Sequence, residues 1–317
     1  MSKIPVIVIA GPTGVGKTAT SIEIAKKLNT EIISADSMQI YRGMDIGTAK
    51  VTPEEAQGIV HHLTDIADPT ENYSVYKFVS ACKKAVSDIV SRGKIPVVAG
   101  GTGLYIDSFL NDIDFSEVRS DEAYRKELEM LADEKGNEYV HLLLQKADPV
   151  SASAIHPNNL KRVIRALEYH KVTNTTISSH NEETQKKPSP YNCCYICLTR
   201  DRQELYERID KRVDIMLENG LVEEVKNLLL SGCNSSHTSM QALGYKEIIE
   251  YLEGRSTYED AVEILKRDSR RYAKRQLTWF RRREDSLWIN LSETANPVDV
   301  CMKHINEKFK NTGVIQE

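Results

Sequence analysis

The chain has 317 residues, of which 40% are hydrophobic and 28% charged, and its formal net charge is −4. This composition predicts a soluble globular protein with a large core and room for two domains, and the mild acidity gives no general sign of nucleic-acid binding. No apolar run is long enough to cross a bilayer and no signal-peptide core is visible, so we expect no membrane attachment. Six scattered cysteines indicate a reducing, cytoplasmic setting.

The first motif follows an apolar run, Pro5–Ala10, that predicts a buried strand. It reads G-x-x-x-x-G-K-T and precedes a helix-like stretch, Ala19–Leu28, in the strand–loop–helix order of a phosphate-binding loop. Backbone N–H groups would point inward, Lys17 adds positive charge, and the Thr18 hydroxyl suits a magnesium ion. We therefore predict a di- or triphosphate site formed by Gly11, Pro12, Thr13, Gly14, Val15, Gly16, Lys17 and Thr18.

Two further predicted strands end in polar residues. Glu31–Asp36 ends in a carboxylate, and Ile95–Ala99 leads into the glycine-rich turn that carries Thr102. With a helix at Tyr76–Ser91 between them, this alternation predicts an α/β fold, a P-loop NTPase-like doubly wound parallel sheet. Ligands bind at the C-terminal ends of such strands, so we expect the phosphate loop, Asp36 and Thr102 to meet in one crevice.

A helical domain is predicted to interrupt this sheet. The sequence favours helices at Asp121–Lys135, Glu138–Lys146 and Asn158–Lys171, the last with apolar residues at helical spacing. The polar stretch Asn181–Ser189 is typical of a linker. We therefore predict a catalytic core formed by residues 1–112 and 190–317, with a helical insertion at 113–189.

Beyond the insertion, a strand is predicted within Tyr191–Leu198, a long helix at Arg202–Gly220, and a mostly helical remainder. The strand contains Cys194-x-x-Cys197, which could hold zinc or could be two buried thiols. Buried thiols are the favoured interpretation, because no second Cys or His pair stands at ligand spacing.

Basic residues are concentrated in two places despite the acidic total. Nine basic residues and a single acid lie between Lys266 and Arg283, and Lys161, Arg162 and Arg165 form a smaller group. Such clusters on an acidic chain indicate a local site for a polyanion, although each could instead be a solvated helix face.

Seven segments give the chain a more specific signature: GPTGVGKT (11–18), SADSMQIYRGMDIGTAK (34–50), GGTGLY (100–105), RVIRALE (162–168), ERIDKRVD (207–214), QALGYKE (241–247) and RRYAKRQLTWFR (270–281). In this order, over nearly the whole chain, the series resembles the bacterial tRNA dimethylallyltransferases, also called tRNA isopentenyltransferases. The resemblance implies transfer of a dimethylallyl group from dimethylallyl diphosphate to N6 of the adenosine immediately 3′ of the anticodon. The tRNAs concerned read codons that begin with U, diphosphate is released, and Mg²⁺ is the cofactor.

Three residues carry the chemistry in this interpretation. Asp36 matches the family's general base, which would take the proton of a weakly nucleophilic adenine amine. Thr102 would orient that amine, and Arg208 would contact the departing diphosphate. Two alternatives stay open: Asp36 could serve only as a magnesium ligand, and Arg208 and Arg212 could simply pair with glutamates on their own helix.

The target adenine must leave its stack to reach such a crevice. The amide of Gln39 suits an adenine edge, and the helical insertion would hold the anticodon stem-loop through its phosphates. The predicted tRNA contacts are Asp36, Ser37, Met38, Gln39 and Thr102 in the core and Arg125, Lys161, Arg162, Val163, Ile164 and Arg165 in the insertion.

Two other classes of protein share part of this signature. A small-molecule kinase would use the same loop for ATP, and a non-catalytic RNA-binding or nucleotide-switch module would have no need of Asp36. The family motifs favour the transferase, which we expect to act as a monomer.

Overall fold

The computed structural model describes residues 3–113, 121–186 and 188–310. Contacts divide the chain into two units: Met1–Leu110 with Pro190–Glu317, here called the core unit, and Asn111–Ser189, here called the helical unit. The first boundary lies two residues before the one predicted from sequence. The assignment of separate functions to the two parts stays a prediction.

The core unit contains a six-stranded sheet in which all strand pairs are parallel. Its order is β3-β2-β4-β1-β5-β6. The strands are β1 (Ile4–Ala10), β2 (Ile32–Ser34), β3 (His61–His62), β4 (Val97–Gly100), β5 (Tyr191–Thr199) and β6 (Leu287–Asn290). The predicted doubly wound α/β sheet is thus confirmed, while the short strands β3 and β6 were not predicted.

Helices flank this sheet in the described part of the core unit. They are α1 (Lys17–Lys27), α2 (Pro53–Ala56), α3 (Val75–Ser91), α4 (Gly103–Leu110), α10 (Arg202–Glu218), α11 (Leu221–Leu230), α12 (Tyr245–Leu252), α13 (Tyr258–Phe280) and α14 (Pro297–Phe309), with a 3₁₀ turn at Ser239–Gln241. None of the described helices has the length and apolar character needed to cross a membrane.

Two apolar clusters fix the parts of the core unit that surround the site. One packs α1 and α10 against the sheet, with Ile9, Ile24 and Ile209 among its members. The other packs Tyr41 and Met44, which follow β2, onto α10–α13. The segment after Asp36 is therefore held against helices that come more than 160 residues later in the chain.

The helical unit consists, in its described residues, of α5 (Glu122–Lys135), α6 (Asn137–Ala147), α7 (Pro149–Ala154), α8 (Leu160–Thr173) and α9 (Ile177–Lys186). Its core contains Leu128, Val140, Leu144 and Leu167. Buried Asp148 accepts hydrogen bonds from the backbone N–H groups of Ser151 and Ser178, which joins the starts of α7 and α9.

The predicted linker at Asn181–Ser189 was wrong for most of its length, because α9 continues to Lys186. Glu, Gln and Lys are good helix formers. The helix also packs against the rest of the helical unit. The ring of its His180 lies 5.6 Å from that of Tyr169 on α8, and its Thr184 is buried. Polarity here marks a solvated helix face, not a break in secondary structure.

The cysteine pair lies on β5, as predicted. Cys194 and Cys197 are both free and buried, and burial raises the pKa of each thiol to about 12. Zinc binds the thiolate form, so this environment disfavours the metal-binding alternative.

Candidate active site

A cavity of about 410 Å³ opens at the C-terminal ends of the strands in the core unit. This volume lies within the ordinary range of a small-molecule site. Its lining includes Lys17, Thr18, Asp36 and Gln39 from the sequence prediction, together with Arg212 and Tyr272. The structure therefore brings the phosphate loop and the carboxylate of Asp36 into one crevice.

The phosphate loop forms the turn between β1 and α1. Gly14 has φ +76°, and a Cβ there would lie 2.9 Å from Ile209 on α10, so this position requires glycine on both counts. The carbonyls of Gly14 and Val15 accept hydrogen bonds from Arg208 and Arg200, both at 2.9 Å. Residues on and just before α10 thus hold the outer side of the loop.

Not all of the loop N–H groups that we predicted to bind phosphate are free to do so. The N–H of Thr13 donates to Gln276 Oε1 at 2.9 Å, and that of Val15 donates to Pro12 O at 3.4 Å. The N–H groups of Lys17 and Thr18 begin α1 and have no acceptor within the helix. The N–H groups at the start of α1 are therefore the ones left available to an anion.

Lys17 and Thr18 lie at this helix start. Lys17 Nζ donates to Pro12 O at 2.9 Å. Burial lowers the lysine pKa to about 8, against the opposing attraction of Asp36. An anion in the cavity would favour the charged ammonium. Thr18 lines the cavity, and its hydroxyl is an oxygen donor of the kind that magnesium prefers.

The two arginines of α10 have different surroundings. Arg208 is exposed and donates from Nε to Gly14 O, outside the cavity lining. Arg212 lines the cavity and donates to Thr48 O at 3.2 Å; burial lowers its pKa, which the charge of Asp36 opposes. No ion pair joins either arginine to a glutamate of α10 in the part of the chain that the structure describes, because Glu204 pairs with Arg200 and Glu207 accepts from Gln203. Of the two, only Arg212 lines the cavity in which a diphosphate would bind.

Asp36 and Thr102 follow β2 and β4 and are linked through Ser37. Asp36 Oδ1 accepts the N–H of Met38 at 2.9 Å, which orients the carboxylate. Thr102 Oγ1 accepts the N–H of Ser37 at 3.0 Å, and Thr102 N donates to Ala35 O at 3.1 Å. The turn that carries Thr102 is therefore bonded to the chain on both sides of Asp36.

The amide of Gln39 is already engaged within the core unit. Its Oε1 accepts from Ser34 Oγ at 3.0 Å, and its Nε2 donates to the carbonyls of Thr48 and Ala49, each at 3.3 Å. Both amide hydrogens are thus directed at protein carbonyls. In this arrangement Gln39 offers a base edge one oxygen lone pair, not the paired donor and acceptor of a free amide.

The basic stretch Lys266–Arg283 is less positive than its sequence indicates. Lys266 pairs with Asp214 at 2.6 Å and Arg270 with Asp210 at 2.5 Å, both across to α10. Arg283 pairs with Asp285 at 2.8 Å. Acids outside the stretch therefore neutralise part of it, and the polyanion interpretation is weakened for these residues.

The basic group of the helical unit divides into two kinds. Lys161 and Arg162 are exposed, and no ion pair joins them to another described residue. Arg125 and Arg165 both contact the buried carboxylate of Glu168, at 2.7 Å in each case. Arg125 and Arg165 therefore stabilise the helical unit, while Lys161 and Arg162 are available to bind a polyanion.

Two members of the predicted tRNA-binding set do not face solvent. Val163 and Ile164 are 0% and 4% exposed and belong to the apolar core of the helical unit. In this structure their side chains cannot reach RNA, because they fill the buried face of the helix that presents Lys161 and Arg162. The spacing of apolar residues by three to four positions, which defines the buried face of a helix, could have predicted that Val163 and Ile164 are buried.

Residues 39–283 match the family model described as IPP transferase, and residues 4–65 match that described as isopentenyl transferase. Two relatives named tRNA dimethylallyltransferase are each 55% identical to this chain. That of Lachnoclostridium phytofermentans aligns over 95% of this chain and 96% of its own length, and that of Acetivibrio thermocellus over 91% and 92%.

Solved structures are also similar. A tRNA isopentenylpyrophosphate transferase from Bacillus halodurans matches with a TM-score of 0.73 and 46% identity, over 97% of this chain and 99% of its own. A eukaryotic dimethylallyltransferase, described as acting on tRNA, matches with a TM-score of 0.82 and 31% identity, over 99% of this chain and 81% of its own. Motifs, fold and relatives agree, and the chain belongs to the IPP transferase family of prenyltransferases that includes the tRNA dimethylallyltransferases.

Proposed function

We propose that this chain transfers a dimethylallyl group from dimethylallyl diphosphate to N6 of the adenosine 3′ of the anticodon, in tRNAs that read codons beginning with U. Diphosphate is the second product. The observation that carries this proposal is the single cavity in which a phosphate loop faces the carboxylate of Asp36. The family and the names of its members supply the substrate class.

The diphosphate end of the site is built to stabilise a leaving group. Negative charge grows on the bridging oxygen as the carbon–oxygen bond breaks, and fixed donors lower the energy of that state. Lys17, Arg212 and the first N–H groups of α1 supply such donors at one end of the cavity. Arg208, bonded to Gly14, supports the loop.

We assign the general base to Asp36, which lines the same cavity and whose charge acts on both Lys17 and Arg212. The lone pair of the adenine amine is delocalised into the ring, so the amine gains nucleophilicity when a carboxylate accepts its proton as the new bond forms. The bond from Met38 N–H fixes one carboxylate oxygen and leaves the other for this role. We assign Thr102 to orientation of the amine; it is not among the residues that line the cavity, but it is bonded to Ser37, which is.

Magnesium fits the residues at this site. Thr18 presents a hydroxyl oxygen and Asp36 a carboxylate, which are ligands of the kind the ion prefers. The described residues contain no group of three or more His, Cys, Asp and Glu that could hold a metal ion, so the diphosphate and water would complete its coordination. When bound, the ion would supply further charge neutralisation to the leaving group.

The RNA partner is bound through a flipped base and through phosphates. The adenine reaches the cavity only outside its stack, where Met38 and Gln39 line the space it would occupy. Lys161 and Arg162 support phosphate contacts by the helical unit. We place the reaction in the cytoplasm and assign it to a monomer.

The proposal is tested by incubating purified protein with dimethylallyl diphosphate, Mg²⁺ and a tRNA that carries adenosine next to the anticodon. Mass spectrometry of the digested nucleosides should show a prenylated adenosine in full-length tRNA. A substrate with guanosine at that position should stay unmodified. Prenylation at another nucleotide, or no prenylation with intact dimethylallyl diphosphate, would contradict the proposed function.

A further inference from the structure

We propose that Gln276 is a positioning residue that fixes the distance between the phosphate loop and the turn carrying Thr102. This inference rests on the proposed prenyl transfer, and it concerns a side chain on α13 that no step above uses. It begins with an unusual location for an amide: Gln276 is 6% exposed, in the interior of the core unit.

Both ends of this amide bond to loops of the active site. Gln276 Oε1 accepts the N–H of Thr13, in the phosphate loop, at 2.9 Å. Its Nε2 donates to the carbonyl of Gly101, at 2.9 Å. One side chain therefore joins the loop that would hold the diphosphate to the residue directly before Thr102.

The turn is shaped to admit this amide. A Cβ at Gly101 would lie 2.4 Å from Gln276 Nε2, so a larger residue there would displace the bond. One turn further along α13, Trp279 Nε1 donates to Asp107 Oδ2 at 2.7 Å, and its ring fills the space that a Cβ at Gly103 would need. The helix thus holds the chain on both sides of Thr102.

A neutral amide satisfies both contacts, whereas an ionised carboxylate or an apolar side chain does not. Thr13 offers a donor and Gly101 an acceptor, so the bridging group must accept at one end and donate at the other. A carboxylate of the same shape would face the Gly101 carbonyl with a second acceptor, and a thioether would leave both backbone groups unpaired in a buried site.

Such a bridge matters for transfer between two substrates. The diphosphate is held at one loop and the amine near Thr102 and Asp36, and the rate of their reaction depends steeply on the distance and angle between them. A displacement of about 1 Å can cost about 10²-fold in rate. Gln276 would therefore affect the chemical step more than the affinity for either substrate.

The test compares Gln276→Met and Gln276→Glu with wild type and with Gln203→Met, a matched change on an exposed helix face. Single-turnover rates are measured with both substrates saturating, beside dissociation constants for dimethylallyl diphosphate and tRNA. We expect the Gln276 variants to lose about 10- to 10²-fold in rate while tRNA affinity changes less than about threefold. Gln203→Met should match wild type.

A double-mutant cycle separates positioning from a general structural role. If Gln276 acts through the turn, Thr102→Val should cost less in the Gln276→Met background than in wild type, since Thr102 is already displaced. Additive penalties, or folded Gln276 variants with wild-type rates, would overturn the inference. If neither Met nor Glu folds, Gln276→Asn, which keeps the amide but shortens its reach, takes their place in the cycle. An inactive wild type would instead contradict the proposed function.

Discussion

At the scale of single residues, the site depends on a few side chains whose charge and orientation are set by their neighbours. Asp36 is oriented by a backbone N–H, and Lys17 carries a pKa that burial has lowered to about 8. Substitution of Asp36 should therefore change the rate of the reaction, and the charge of Lys17 should change the affinity for diphosphate.

Asp36→Asn should keep the shape of the site and lose the capacity to accept a proton. We expect the turnover number at saturating substrates to fall by about 10²-fold or more, with tRNA affinity little changed. Measurement over a range of Mg²⁺ concentrations distinguishes the two roles of Asp36. Recovery of the rate at high Mg²⁺ would assign Asp36 to metal binding instead of proton transfer.

Lys17 should make diphosphate binding sensitive to alkaline pH. The ammonium is charged below its pKa of about 8 in the free protein, and a bound diphosphate favours the charged form. Affinity is therefore fully present below pH 8 and declines above it, by up to about tenfold per pH unit. Titration of dimethylallyl diphosphate binding between pH 7 and 10 measures this slope.

The control for this titration is Lys17→Arg, because a guanidinium stays charged across the same range. Its affinity should be weaker at pH 7, owing to the different shape of the group, and nearly flat with pH. A wild-type affinity that is equally flat would show that the ammonium is not titrating at this site.

At the scale of elements, single helices serve two purposes on opposite faces. The buried face of α8 carries Val163 and Ile164, and its exposed face carries Lys161 and Arg162. In the same way, α13 buries Gln276 against two loops while Lys266 and Arg270 pair with acids on α10. Charge counted along a helix therefore overstates what is available to a partner.

Replacing Lys161 and Arg162 together by Gln should weaken binding of all substrate tRNAs alike. Each lost phosphate contact should reduce the slope of log K against log salt by about one unit at most. Saturating tRNA should restore most of the turnover. Lys126→Gln combined with Lys146→Gln, on exposed positions of α5 and α6, is the matched control, and equal effects of the two double changes would indicate a diffuse charge effect.

At the scale of the whole molecule, the core unit contains every residue assigned to the diphosphate and to proton transfer. Ligand binding to that unit should therefore stabilise the folded protein without tRNA. At a concentration about 100 times Kd, a ligand adds about 2.7 kcal/mol to the free energy of unfolding.

Dimethylallyl diphosphate with Mg²⁺ should raise the thermal unfolding temperature by several degrees, and the shift should be lost in Lys17→Ala. ATP at the same concentration should protect less, because the cavity would have to accept a nucleoside in place of a short apolar chain. Stronger protection by ATP would favour the kinase alternative.

The four central strands of the sheet, the phosphate loop, and the positions of Asp36 and Thr102 just after β2 and β4 could be predicted from the sequence, whereas the short edge strands β3 and β6 could not. These features depend on local order, since a buried strand, a glycine turn and a helix follow one another directly in the chain. The family signature is likewise a property of consecutive residues, and it predicts the function.

Contacts between distant parts of the chain determine which side chains reach the cavity and which are already hydrogen-bonded within the protein. Arg212 rather than Arg208 lines the cavity, and Gln39 is bonded to carbonyls of its own loop. Gln276 bonds to Thr13 and to Gly101, which precede it in the chain by 263 and 175 positions. Contacts of such separation leave no periodic trace in a single sequence, because the chain's local spacing fixes a helix face but not what that face meets.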